Sequence, residues 1–130
     1  MQKVTILCTG KLKEKFYLDA VAEYVKRLSR FCKLEIIELP EEKIEEKNAS
    51  DAVVKKALEK EGKAILSNVR KGAAIVAMCI EGRQISSDEL AQFLADRANS
   101  GAGDVAFVIG SSHGLSDEVK KAAALRFSMG

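Results

Sequence analysis

Strand-like apolar runs alternate with helical patterns along the chain. The runs are "VTILCTG", "LEIIEL", "AAIVAMCI" and "DVAFVIG", and a final "LRFSM" has the pattern of a fifth strand. Between them, apolar residues recur every three or four positions, the spacing of a helix that buries one face. This alternation predicts an α/β fold: a parallel sheet with helices on both faces, joined by right-handed crossovers.

Several residues predict where helices begin and strands end. Ser50 is placed to cap the helix that follows it, and Ser86 precedes Glu89 by three residues, the spacing of a capping box. Ser116 is followed by two acids, which favour the positive end of a helix dipole. Pro40, the only proline, should end the second strand because it cannot donate to a ladder.

Ligands in parallel sheets bind beyond the carboxyl ends of the strands, which marks residues 9–11, 81–83 and 110–114 as candidate site loops. Gly82 and the pair Gly110 and Gly114 permit positive φ and the close approach of a ligand. Loops of this kind suit a flat base such as adenine, held by main-chain groups. Two ordinary turns are the alternative that the residues alone leave open.

Other chemical motifs are not supported. The turn after the first strand, residues 9–13, has one glycine where a dinucleotide-binding loop needs three. Ser111 and Ser112 adjoin His113, but the G-x-S-x-G turn that exposes a nucleophilic serine is missing. A flavodoxin-like nucleotide binder remains as a distant alternative, which would show flavin absorbance.

Length and composition indicate one domain over residues 1–130. The chain is 47% hydrophobic and 31% charged, as in ordinary globular proteins, and it has no apolar run near the length of a membrane span. The N-terminus does not resemble a signal peptide, so we expect a cytoplasmic protein. One histidine and three scattered cysteines, Cys8, Cys32 and Cys79, argue against a zinc site, and the apolar runs around Cys8 and Cys79 indicate reduced core thiols.

Charge is segregated although the net charge is only +2. Residues 1–33 hold eight Lys or Arg against three acids, whereas residues 34–50 hold six Glu against two Lys. A basic N-terminal third could contact a phosphate backbone, and the alternative is a solvated helix face.

Five segments together resemble a known family. They are, in order, "KVTILCTGKLKEKFYLDAVAEYVKRL", "LEIIELPEEK", "KEGKAIL", "IEGRQISSDELA" and "FVIGSSHGL". This sequence is similar to the RlmH family, the bacterial 23S rRNA pseudouridine N3-methyltransferases of the SPOUT class. The resemblance covers essentially the whole chain.

The resemblance implies properties that the residue pattern did not. Members of the family have an α/β sheet whose C-terminal part forms a trefoil knot, bind S-adenosylmethionine there, and work as homodimers. They methylate a pseudouridine of the large-subunit rRNA on the assembled ribosome. Matched by position, the cofactor contacts fall at Met78, Gly110, Met129 and Gly130. The family usually has a glycine where this chain has Ser111.

The resemblance also defines what to expect of the chain's end and of its substrate contacts. Family members continue past the position of Gly130, so we expect a SPOUT domain that is incomplete at its C-terminus, or else a noncatalytic binding domain of the same fold. The catalytic residue stays unassigned, because His113 could be either a proton acceptor or a polar turn residue. The basic side chains expected to face rRNA are Lys11, Lys13, Lys15, Arg27 and Arg30.

Overall fold

A computed structural model describes most of the chain. The described residues are 2–10, 19, 22–23, 26–27, 32–45, 47, 50–84, 87–100, 103–111 and 113–128. Residues 19, 22–23 and 26–27 are helical and lie between the first two strands. The other elements are β1 (Gln2–Thr9), β2 (Cys32–Leu39), α1 (Asp51–Ser67), β3 (Ala74–Gln84), α2 (Ser87–Asn99), β4 (Val105–Ile109), α3 (Asp117–Ala122) and β5 (Leu125–Ser128).

The described strands form one parallel sheet in the order β2-β1-β4-β3-β5. β4 lies at its centre, where every residue from Val105 to Ile109 is buried. This explains the uninterrupted apolar run in the sequence, because a central parallel strand is covered on both faces. The predicted α/β class and the fifth strand are both confirmed.

Helices cover both faces of the sheet, as predicted. On one face Leu90 and Leu94 of α2 pack against Phe107 of β4. On the other face Ile65 of α1 and Val119 of α3 pack in a second cluster with neighbouring strand residues. Successive strand side chains point to opposite faces, so β1, β3 and β4 each contribute buried residues to both clusters.

Two predicted helix starts are confirmed by their caps. The Ser50 hydroxyl accepts a hydrogen bond from the Val53 N–H at 3.3 Å, and the Ser116 hydroxyl accepts one from the Val119 N–H at 3.2 Å. Such caps satisfy amide groups that lack a partner within the helix. α2 begins at Ser87, but Ser86 lies outside the described residues, so its capping role stays a prediction.

The cysteine, metal and membrane expectations have different outcomes. Cys8 is buried and not part of a disulfide, as expected, whereas the side chains of Cys32 and Cys79 lie outside the described part. Within the described ranges, His, Cys, Asp and Glu side chains form no group that could hold a metal ion. The helices of those ranges are all too short or too polar to cross a membrane.

Candidate functional site

The carboxyl end of the sheet brings two of the predicted site residues together. Met78 of β3 pairs with Ile109 of β4, and Ile109 pairs on its other side with Cys8 of β1. Gly110 follows Ile109 directly, so it leaves the sheet beside Met78. The Met78 side chain is 6% exposed and belongs to the core on the α2 face. The sequence therefore selected two positions that are neighbours in the fold.

The other two predicted cofactor contacts, Met129 and Gly130, lie outside the described residues. The strand that precedes them, β5, runs parallel to β3, and the backbone of Phe127 pairs with that of Met78. The carboxyl ends of all strands in a parallel sheet lie at the same end of the sheet. The roles of Met129 and Gly130 stay predictions.

The expectation that residues 81–83 form a loop is wrong, because they lie within β3. Pairing with β4 ends at Met78, and the pairing with β5 then shifts register between Met78 and Arg83. Extra residues inside a strand produce such an irregularity, which bends the strand locally. Gly82 is therefore part of an irregular strand and not of a second glycine loop.

The loop after β4 is tight, but Gly110 is needed for a different reason from the one expected. Both glycines permit positive φ, and the structure has it at Gly114, where φ is 94°, and not at Gly110. A β-carbon at Gly110 would collide with the Gly114 carbonyl. The Gly114 N–H also donates to the Ser111 carbonyl at 2.9 Å, which closes the turn.

β1 ends next to this loop with a second glycine turn. Gly10 has a φ of 109° and donates its N–H to the Leu39 carbonyl at 3.0 Å. The Thr9 hydroxyl is buried and has no hydrogen-bond partner among the described residues. Lys11, the third member of this candidate loop, lies outside them.

A buried acid that the sequence analysis missed connects the two loops beside β1. Glu61 of α1 is 6% exposed. One carboxylate oxygen accepts a hydrogen bond from the Ser111 hydroxyl at 3.0 Å, and the other accepts one from the Glu42 N–H at 2.8 Å. Ser111 follows β4 and Glu42 follows β2, while β1 lies between these strands. The carboxylate therefore spans the end of β1.

The environment of Glu61 opposes its ionisation. Burial raises the pKa of its carboxyl group above the ordinary value of 4.5, while the hydrogen bonds from Glu42 and Ser111 lower it in part. The sequence carried a signal for this site: an acid at a position of α1 that shares its helical face with Ile65, followed directly by Gly62. A β-carbon at Gly62 would collide with the Ser116 hydroxyl, so α1 packs directly on the segment after the loop.

His113 lies on the outer side of the loop. It is exposed and lines an open groove of about 770 Å³ between α1 and residues 113–118. Two lysines bring positive charge to this groove, and four acids bring negative charge: Lys55 and Lys63 against Asp51, Glu59, Asp117 and Glu118. The lining of the groove is therefore net negative, which does not favour an anion.

Of the residues expected to face rRNA, the structure describes Arg27. Its side chain is exposed and its Nε lies 3.7 Å from a Glu23 carboxylate oxygen, one helical turn away. An exposed pair of this kind contributes little to stability. The other four, Lys11, Lys13, Lys15 and Arg30, lie outside the described residues.

The carboxyl edge fits a cofactor that contains an adenosine group. Gly114 has a φ of 94° and open space at its β-position, and the Thr9 hydroxyl is buried at the neighbouring strand end without a described partner. A flat base can approach such a backbone closely and bond to its N–H and C=O groups. Met78 provides an apolar side chain beside the same edge.

Comparison with known proteins agrees with the fold and with the sequence motifs. Residues 2–130 match a family model described as "Predicted SPOUT methyltransferase". The chain is 48% identical over 128 residues to a Streptococcus mutans protein and 46% identical over 128 residues to one from Streptococcus uberis. Both alignments cover 98% of this chain and 80% of the relative. A Clostridium perfringens protein is 46% identical over 120 residues, covering 92% of this chain and 75% of its own length.

The two streptococcal relatives are named "Ribosomal RNA large subunit methyltransferase H", and the clostridial one carries the same name with the number 1. Identities of this size over nearly the whole chain establish membership of a family. The chain therefore belongs to the SPOUT methyltransferases, in the family to which these relatives belong, as its motifs indicated.

Proposed function

We propose that the protein transfers a methyl group from S-adenosylmethionine to N3 of a pseudouridine in the 23S rRNA of the assembled ribosome. The names of its relatives support an rRNA substrate, and the sequence resemblance supports the particular base and atom. A trefoil knot and a homodimer belong to this proposal because the resemblance implies both. Since the proposed substrate is the ribosome, we expect the protein in the cytoplasm.

The observation that carries the proposal is the meeting of Met78 and Gly110 at the carboxyl end of adjacent strands. These positions came from the resemblance, and their proximity did not follow from the sequence. A cofactor at this edge would lie against the Gly110 backbone and beside the Met78 side chain. Met129 and Gly130 would complete its contacts.

The bound cofactor would supply a methyl group on a positively charged sulfur, which is already activated for transfer. The tasks left to the protein are to orient the partners and to exclude water. Gly110 and Gly114 hold the loop closed by their backbone contact, and Met78 excludes water from one side. The group that accepts the N3 proton is unassigned, and His113 lies on the exposed side of the loop.

Titration calorimetry with S-adenosylmethionine tests the proposed site. We expect stoichiometric binding, together with transfer of labelled methyl to ribosomes but not to free nucleosides. Binding without transfer to any ribosomal preparation would favour the alternative, a noncatalytic binding domain of the same fold. If no binding occurs, the proposed cofactor site is wrong.

The proposed RNA contact has its own test. Reversing the charge of Lys11, Lys13 and Lys15 should weaken ribosome binding and reduce its salt dependence, by about 0.7 to 0.9 in the slope of log K against log salt for each lost phosphate contact. Reversing three exposed lysines of α1, Lys55, Lys56 and Lys63, makes the same change in net charge and is the matched control. Equal effects of the two triple variants would contradict a local contact.

A further inference from the structure

Glu61 has no assigned role in the proposed cofactor site, yet its burial is costly. A carboxylate taken out of water destabilises a fold unless hydrogen bonds compensate. Both oxygens of Glu61 are used, and both partners lie in segments that follow strands at the carboxyl end of the sheet. An acid placed there fixes loops at the site rather than packing in the core.

Ser111 is the partner that connects Glu61 to the site. It follows Gly110 directly and is 8% exposed. Its hydroxyl donates to Glu61, while its carbonyl accepts from the Gly114 N–H. The side chain of Ser111 therefore fastens the loop to α1, and its main chain closes the turn. A loop held in its binding conformation loses less conformational entropy when a ligand binds.

We propose that Glu61 is a positioning residue which, through Ser111, holds residues 110–114 in the conformation that binds the cofactor. The inference rests on the proposed function, since it concerns the same loop. The Glu42 N–H bonds the second carboxylate oxygen at 2.8 Å and prevents the carboxylate from rotating away with the loop. The hydroxyl contact is a feature of this chain, because the resemblance implies a glycine at position 111.

Three variants test the contact by their affinity for S-adenosylmethionine in calorimetry. Each alanine substitution removes a hydrogen bond that involves the Glu61 carboxylate. Cofactor affinity should therefore fall about fivefold in Ser111→Ala and about tenfold in Glu61→Ala. Glu61→Gln should stay within about threefold of wild type. Its amide oxygen can accept from the Glu42 N–H, and its amino group can donate to the Ser111 hydroxyl.

A double variant separates positioning from general support of the fold. If Glu61 acts through Ser111, the double variant Glu61→Ala/Ser111→Ala should bind within about twofold of Glu61→Ala alone. If the losses of affinity in the two single variants instead multiply in the double variant, the two residues act independently and the proposal is overturned. So would a Glu61→Gln protein that binds as weakly as Glu61→Ala.

Ser116→Ala is the matched control. Ser116 is also a buried serine of this segment, 4% exposed, but its hydroxyl caps α3. Its loss should lower the melting temperature while cofactor affinity stays within about twofold, since a cap contributes about 1 kcal/mol to stability. A loss of affinity equal to that of Ser111→Ala would show that any weakening of the segment suffices.

Hydrogen exchange keeps this inference separate from the proposed function. Without cofactor, the amides of residues 110–114 should exchange faster in Glu61→Ala and in Ser111→Ala than in wild type and Ser116→Ala. Wild-type protein that binds no S-adenosylmethionine but shows this exchange pattern would refute the proposed function and leave the positioning intact. Equal exchange at these amides in all four proteins would overturn the positioning.

Discussion

The two ends of the sheet use polar groups in different ways. At the amino end, the half-buried Gln2 side chain donates to the carbonyls of Leu94 and Gly103 at 3.0 and 2.8 Å, and Arg97 donates to the Gly72 carbonyl at 3.1 Å. At the carboxyl end the corresponding connection is made by a buried carboxylate. The first arrangement joins α2 to main-chain carbonyls through amide and guanidinium donors, and the second holds an ionisable group in a place that opposes its charge.

This difference indicates which end was shaped by function. Neutral or exposed donors on main-chain carbonyls are an ordinary way to satisfy helix and strand ends. Among the described residues, each end has one buried polar atom without a partner, the Thr9 hydroxyl and the Arg97 Nε, but the buried acid lies at the carboxyl end, and it is not what stability alone favours. We therefore expect substitutions at the amino end to change stability alone, and those at the carboxyl end to change cofactor binding too.

Gly110→Ala should have the largest effect. Its β-carbon would collide with the Gly114 carbonyl, so the loop must open. We expect a loss of about 1–3 kcal/mol in the free energy of unfolding, typical of overpacking. Cofactor affinity should fall more than tenfold. Denaturant melts and calorimetry on the same protein measure the two quantities.

Gly72→Ala is the control for this variant at the opposite end. Gly72 has a φ of 86° and open space around its β-position, so alanine there is strained without a collision. The cost should be about 1–2 kcal/mol, similar to that of Gly110→Ala. Its cofactor affinity should equal that of wild type. If Gly72→Ala lost cofactor affinity as Gly110→Ala is expected to, the two ends of the sheet would not differ in their effect on cofactor binding.

Gln2→Ala tests the amino end directly. The variant loses both contacts of the Gln2 amide with main-chain carbonyls, and we expect the protein to lose about 1–2 kcal/mol of stability. Cofactor affinity should not change, because these contacts lie at the amino end of the sheet, away from the proposed cofactor site. A weaker cofactor complex in this variant would show that the ends are energetically coupled.

The pH dependence of Glu61→Gln gives the smallest expected effect. Because burial raises the folded-state pKa of Glu61, its contribution to stability is fully present below the unfolded pKa and is lost as pH rises through the folded pKa. The variant does not titrate there. Its stability relative to wild type should therefore increase from about pH 4 upwards and then level off. Urea melts of both proteins across this range measure the difference in their free energies of unfolding. A difference that does not change with pH would contradict the expectation.

The amino-acid pattern predicted the helices and strands better than it predicted which strands pair with each other. Runs such as those of β1 and β4 are apolar because both faces of these strands are buried, and that property is visible in one dimension. The order β2-β1-β4-β3-β5 depends on pairing between distant segments and has no such local signature. The irregular end of β3 likewise follows from its pairing with β5, so residues 81–83 were assigned to a loop.

The candidate site was predicted in part for a related reason. Gly110 and Met78 were identified through motifs, but the contact between Glu61 and Ser111 joins residues 50 positions apart. The sequence placed an acid on the apolar face of a helix without indicating its partner. The reason that position 110 requires a glycine was not visible in the sequence either, because the group that excludes a side chain there is a carbonyl brought close by the turn.

The pairing of Val4 with Val105 also determines when the molecule can fold. β2 is synthesised soon after β1, whereas the partner of the other edge of β1 follows about one hundred residues later, and such long-range closure slows folding. During that interval the pair of strands presents an open apolar edge. We therefore expect the nascent chain to be prone to aggregation until β4 has left the ribosome.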